Sequence, residues 1–198
     1  ARLDGEGTAI GELNLEYENP VNGIGDDCRQ APLAEGENCY WMVSRIIIPS
    51  SAEVTSLPQL PAPLGSIAST VERTPENTAI VFDGADGLPF KVQEVSGFTV
   101  VEPKTTTSFG ISYDLPAAAL LSTDGVWRYD LKIRRQPGAG SPRVSVKIEL
   151  PDDSCVVGSE PDLSVSPDGL LYSFDLNADR TITIWYGTDA GTCAAQAA

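Results

Sequence analysis

The stretch Gly125–Pro151, GVWRYDLKIRRQPGAGSPRVSVKIELP, decides the fold class. Trp127, Tyr129, Leu131 and Ile133 fall on one side of an extended chain and Arg128, Asp130, Lys132 and Arg134 on the other, the period of a strand with one wet face. A second run repeats it, with Val144, Val146, Ile148 and Leu150 against Arg143, Ser145, Lys147 and Glu149. Between them lies QPGAGSP, whose prolines fix φ and whose glycines admit positive φ, so the two runs are expected to reverse and pair as an antiparallel hairpin. A hairpin with one apolar face is marginal in water and has to cover a second sheet. The expected fold is all-β, an antiparallel β-sandwich of roughly ten short strands, jelly-roll or immunoglobulin-like.

Working outward, Thr8–Asn19 sets Leu13, Leu15 and Tyr17 against Glu12, Asn14, Glu16 and Glu18, a first strand with an acidic outer face. Asn19-Pro20 and the NGIGDD run break it into a loop from Cys28 toward Cys39. Cys39–Pro49, CYWMVSRIIIP, is aromatic and β-branched on both faces and is expected to be a central strand buried on both sides, with Arg45 in a buried ion pair. Prolines 58, 61 and 63 in AEVTSLPQLPAPLG predict an edge strand followed by a stiff connector. Ile67–Arg73 reads as strand or loop, and Thr78–Phe82 as a short strand turned by Asp83-Gly-Ala-Asp-Gly87 toward Pro89–Val101. Thr106–Pro116 alternates again, PAAALLS (116–122) reads as the one helical turn, and Pro151–Gly169 as turn-rich chain. Leu170–Leu176 and Thr181–Gly187 are the last strands. The whole of 1–198 is expected to form one domain, with 1–7 and 188–198 as tails.

Composition limits the function. A formal charge of −15 repels phosphate backbones and anionic membrane surfaces, which disfavours nucleic acid. No window approaches the roughly 18 consecutive apolar residues of a membrane span. The opening ARLDGEG carries no initiator Met and no charged-then-apolar signal, and it leaves open whether a leader or anchor precedes it. Four cysteines, Cys28, Cys39, Cys155 and Cys193, show no CxxC spacing and have no histidine to complete a zinc site, so they read as disulfides. Nearness in sequence favours Cys28–Cys39 and Cys155–Cys193, each worth roughly 3 to 4 kcal/mol in the chain-entropy model. The expected address is extracellular or the cell surface.

The absence of histidine removes imidazole acid-base catalysis, His triads and His-ligated metals. No GxSxG, GxGxxG or P-loop is present. Two carboxylates can hydrolyse a glycoside, but with 28 acidic residues no particular pair stands out. The sharpest local pattern is Asp175-Leu-Asn177-Ala-Asp179, whose alternating oxygens match the start of a calcium loop. Arg180 and Thr181 stand where a glycine would ease the turn, and Tyr186 where a bidentate Glu would close the site, so a plain turn is the stronger reading. The Asp83–Gly87 turn carries the same pair of readings. No cofactor is expected, with calcium as the one candidate. Arg128, Lys132 and Arg134 form a cationic row that either is solvated or meets acidic residues of a neighbouring subunit, such as Glu12, Glu16 and Glu18.

Ordered short motifs carry a family resemblance. Cys39-Tyr-Trp…Arg45-Ile-Ile-Ile-Pro49, Gly97-Phe-Thr-Val-Val with Glu102-Pro103, Ser112-Tyr-Asp-Leu-Pro116 and Arg128-Tyr-Asp-Leu…Gln136-Pro137-Gly138 follow one another. The order resembles the extracytoplasmic C-terminal module of bacterial membrane-anchored proteins, a domain of unknown function with RVYVP-, YxLP- and KQPG-like motifs. The resemblance spans about residues 10 to 187 and departs at Arg135, where that hairpin commonly carries Lys. It implies an extracytoplasmic β-fold and brings no activity with it.

The functional expectation is a non-enzymatic cell-surface or secreted β-sandwich for assembly or adhesion. It would self-associate, or meet another cell-surface protein, as a fibre subunit joined by strand complementation through Leu13, Leu15 and Tyr17 of the N-terminal strand. The alternative is a surface carbohydrate-binding module with Trp41, Trp127 or Trp185 as its platform.

Overall fold

The computed structural model describes residues 1–22, 39–56, 82–83, 89–90, 92–135, 140–166 and 169–196, and these are mostly strand. In chain order the strands are β1 (Arg2–Leu3), β2 (Ala9–Glu18), β3 (Tyr40–Pro49), β4 (Glu53–Ser56), β5 (Phe82–Asp83), β6 (Pro89–Phe90), β7 (Val92–Val101) and β8 (Thr106–Leu115). There follow β9 (Ala119–Leu121), β10 (Val126–Ile133), β11 (Arg143–Ile148), β12 (Cys155–Glu160), β13 (Ser164–Ser166), β14 (Gly169–Asp175) and β15 (Arg180–Gly187), then one short helix, α1 (Ala190–Gln196). The chain divides into two compact units, Ala1–Gly11 with Asp114–Ala198, and Glu12–Tyr113.

The first unit holds two antiparallel sheets, ordered β12-β15-β10-β9 and β11-β14-β13. They close on one core: Tyr129, Ile182, Ile184 and Tyr186 come from the first sheet, Ile148, Leu170 and Phe174 from the second. The alternation of the 125–151 stretch therefore reads correctly as strands and faces, but the hairpin does not form. β10 pairs with β15 and β9, and β11 with β14. The link between β10 and β11 crosses from one sheet to the other; its residues 136–139 lie outside the described residues. A second crossing, from β14 to β15, runs beside it: Arg135 N–H donates to Asp179 Oδ1 at 2.8 Å and Leu176 N–H to Pro142 C=O at 2.9 Å. Two crossings at one end bury all four apolar faces against each other, whereas a hairpin would leave β14 and β15 without partners of this kind.

PAAALLS is not helical. Ala117 takes φ 53° and β9 follows, with Ala119, Leu120 and Leu121 opposite Tyr129, Arg128 and Trp127. Cross-strand pairing outweighs helix propensity because seven residues cannot nucleate an isolated helix. The supposed turns of 151–169 contain β12 and β13, and the helix sits instead at 190–196. That helix is tethered by the Cys155–Cys193 disulfide, which spans 38 residues of sequence. Residues 1–7 carry β1, with Leu3 N–H donating to Glu149 C=O at 2.9 Å and the Leu3 side chain buried.

In the second unit β2, β8 and β4 lie side by side in that order, β3 pairs with β7, and β5 with β6. Phe109 and Ile111 of β8 are buried, as the alternation required. Gly110 faces β2 closely: a Cβ there would lie 2.7 Å from Leu13 C=O. Among the described residues β4 is an edge strand, as its neighbouring prolines predicted. β3 corrects the two-sided reading. Ser44, Ile46 and Ile48 are buried, while Tyr40, Arg45 and Ile47 face solvent. Arg45 does take a carboxylate, Glu94 on β7, through Nε at 2.8 Å and Nη2 at 2.5 Å, but as an exposed bidentate pair that raises the guanidinium pKa. Ser44, Ile46 and Ile48 alternate with Arg45 and Ile47, so this part of β3 has one dry face. Asn19, read as a strand breaker, is buried and holds the β7–β8 turn: Nδ2 donates to Val101 C=O at 3.0 Å, and Lys104 N–H donates to Asn19 C=O at 2.8 Å. Phe82 stands opposite Phe90 and Asp83 opposite Pro89 in an antiparallel pair. The Ile67–Arg73 segment, the proline connector, the loop carrying Cys28 and residues 84–88 lie outside the described residues.

Candidate functional site

Two surfaces combine exposed backbone or side-chain chemistry with defined geometry. The first is the outer edge of β2. Asp4 N–H donates to Thr8 C=O at 3.0 Å and Arg2 stands opposite Ile10. In an antiparallel pair the hydrogen-bonding residues alternate, so even-numbered residues of β2 direct N–H and C=O toward β1. Among the described residues, however, β1 covers only Ala9 and Ile10. Beyond it Glu12, Asn14, Glu16 and Glu18 present the same row of groups past the end of β1, and their side chains are exposed. Leu13, Leu15 and Tyr17 are half-buried on the other face, where Tyr17 stacks on Phe109 with centroids 5.8 Å apart. The N-terminal strand thus lies in its own sheet, beside β8.

The second surface is the outer face of the β12-β15-β10-β9 sheet. Since Ile182, Ile184 and Tyr186 point into the core, Thr181, Thr183 and Trp185 point out. Register aligns Leu120, Arg128, Trp185 and Gly158 in one row across the four strands, and Asp130, Thr183 and Glu160 in the next. β12 shifts register between Val156 and Gly158. Arg128 Nε donates to Asp130 Oδ1 at 3.2 Å, its Nη2 lies 3.1 Å from Oδ2, and Thr183 Oγ1 donates to Oδ1 at 2.7 Å. Arg128 of the cationic row is thus paired within its own strand. Lys132 is exposed two residues beyond Asp130.

Of the other tryptophans, Trp127 belongs to the core side, stacked on Tyr186 at 6.3 Å and closed over Gly7, whose φ of 80° admits no side chain easily. Trp41 is half-buried in β3. Tyr186, fully buried, has no partner for its hydroxyl among the described residues; burial, then the Asp4 charge, push its pKa up to about 12. Periodicity located Tyr186 but could not show that its hydroxyl is stranded.

The calcium-like triplet sits in the β14–β15 crossing, and each member faces a protein donor. Arg143 Nη1 lies 3.7 Å from Asp175 Oδ1, Arg180 donates to Asn177 Oδ1 at 2.9 Å, and Asp179 accepts from Arg135 N–H. No group of three metal-ligating His, Cys, Asp or Glu side chains occurs among the described residues. Cys155 pairs with Cys193 (Cα–Cα 5.6 Å), and Cys39 is also disulfide-bonded, while Cys28 lies outside the described residues. Among the described residues no helix is long and apolar enough to cross a membrane. No protein-family model matches the chain, and no curated protein is significantly similar to it.

Proposed function

We propose that this chain is a non-enzymatic extracellular or cell-surface β-sandwich protein that works by assembly, joining copies of itself through strand addition at β2. The observation that carries the reading is the edge of β2, where, among the described residues, Glu12, Asn14, Glu16 and Glu18 offer a row of backbone donors and acceptors beyond the end of β1. Such an edge templates an incoming strand. Complementation here means accepting a strand, because β2 already occupies its own sheet. The acidic side chains favour a strand of a second copy that carries basic residues. An edge meeting a different edge is a heterologous contact and propagates into filaments unless it closes. The Cys155–Cys193 disulfide supports an oxidising compartment.

Sedimentation velocity and negative-stain electron microscopy over a wide concentration range test this. The expected result is concentration-dependent oligomers or filaments that Glu16→Pro abolishes, since proline there removes an outward N–H and spares the odd-numbered bonds to β8. Monomers at every concentration would end the reading.

A further inference from the structure

We propose that the outer face of the β12-β15-β10-β9 sheet is a binding site for a neutral glycan, with the Trp185 indole as its platform. The site is separate from the β2 edge, goes beyond the assembly reading, and stands or falls without it. A sugar ring presents an apolar C–H face edged by hydroxyls that each donate and accept. It therefore fits a flat aromatic flanked by fixed polar groups.

Trp185 stands on the solvent side of a strand whose alternate residues fill the core, and register places Arg128 on one side of it and Gly158 on the other. Gly158 matters for what it lacks: a Cβ at that position would lie 3.6 Å from Trp185 Cε3, so any larger side chain would rise against the ring. The β12 register shift at Val156/Gly158 lies at the same place, and bulges of this kind re-aim side chains at sites.

The polar groups beside the ring are already held. Asp130 accepts from Arg128 Nε and from Thr183 Oγ1, and Thr183 is itself only 7 % exposed. This fixes the Arg128 fork with further N–H groups free to donate outward, and it leaves Asp130 and the exposed Glu160 as acceptors. Donors and acceptors of fixed direction lose little freedom on binding, which is what separates a site from a polar surface. The ligand is neutral because Arg128 is spoken for by Asp130, and a chain of net charge −15 repels acidic polysaccharide.

The test titrates the intact chain with soluble neutral oligosaccharides (cello-, xylo-, manno-, malto- and chito-series), with heparin fragments as the acidic control. The indole N–H resonances of the three tryptophans and calorimetry are the readouts. The expected result is that at least one neutral series shifts the Trp185 resonance. Trp185→Ala should weaken that binding tenfold or more, and Gly158→Val, which keeps the indole and adds bulk beside it, should weaken it comparably. Near-UV circular dichroism establishes that both variants are folded; if Trp185→Ala is not, Gly158→Val decides. Failure of every neutral series to bind, binding confined to heparin, or neutral binding that Gly158→Val leaves unchanged would each overturn the proposal. Sedimentation of the same samples reads the assembly proposal independently.

Discussion

Replacing Cys155 and Cys193 together with alanine perturbs one defined constraint. The bridge closes a segment in which the paired cysteines are 38 residues apart, running from β12 through β13, β14 and β15 to α1. Closing a loop of that length removes about 13 cal/mol/K of chain entropy from the unfolded state, or about 4 kcal/mol at 25 °C. Little native packing goes with the two sulfurs, since both cysteines are only half-buried and α1 rests on Gly187, where a Cβ would come within 3.0 Å of Thr192 Cβ. Most of the loss should therefore appear as reduced global stability of the first unit, accompanied by fraying of a helix too short to persist alone. Urea unfolding followed by tryptophan fluorescence is the assay. With a slope of about 2 kcal/mol/M, the midpoint should fall by about 2 M while the disulfide at Cys39 stays intact. A midpoint shift under about 0.5 M with an unchanged slope would refute the claim that this closure carries a large share of the stability.

Gly110→Ala should cost about 1–3 kcal/mol, because its Cβ would press on the Leu13 carbonyl 2.7 Å away and force β8 from β2; chemical denaturation measures it. Asn19→Ala should cost about 1–3 kcal/mol by stranding the Val101 carbonyl, and amide exchange should quicken at Lys104. Tyr186→Phe should be neutral or stabilising by up to about 1 kcal/mol, since it deletes a buried hydroxyl without a partner among the described residues. The Tyr186 pKa is raised above the unfolded value near 10, so the neutral phenol is favoured in the fold. That contribution is complete below pH 10 and is lost as pH rises toward about 12, and the difference between wild-type and Phe unfolding curves should change over that window alone.

For β2, β8, β10, β11, β14 and β15 the chain's alternation determined which residues form strands and which face each takes. Leu13/Leu15/Tyr17, Phe109/Ile111 and Ile182/Ile184/Tyr186 all lie on the faces their spacing predicts, because a side chain's direction follows from backbone pleat and needs no knowledge of the partner. The β2 edge and the outward Trp185 were legible to that extent. Partnership was decided only in three dimensions. β10 and β11 look like a hairpin along the chain yet belong to opposite sheets, and Ala119–Leu121 abandon helix for a place beside β10, since burial of whole faces outweighs local reversal and local propensity. Asp175, Asn177 and Asp179 have the spacing of a cation loop, and only the tertiary structure shows which protein groups lie beside them: Arg143, Arg180 and the Arg135 amide, two of which arrive from more than thirty residues away. Spacing records what one segment offers; the packing of distant segments decides what accepts it.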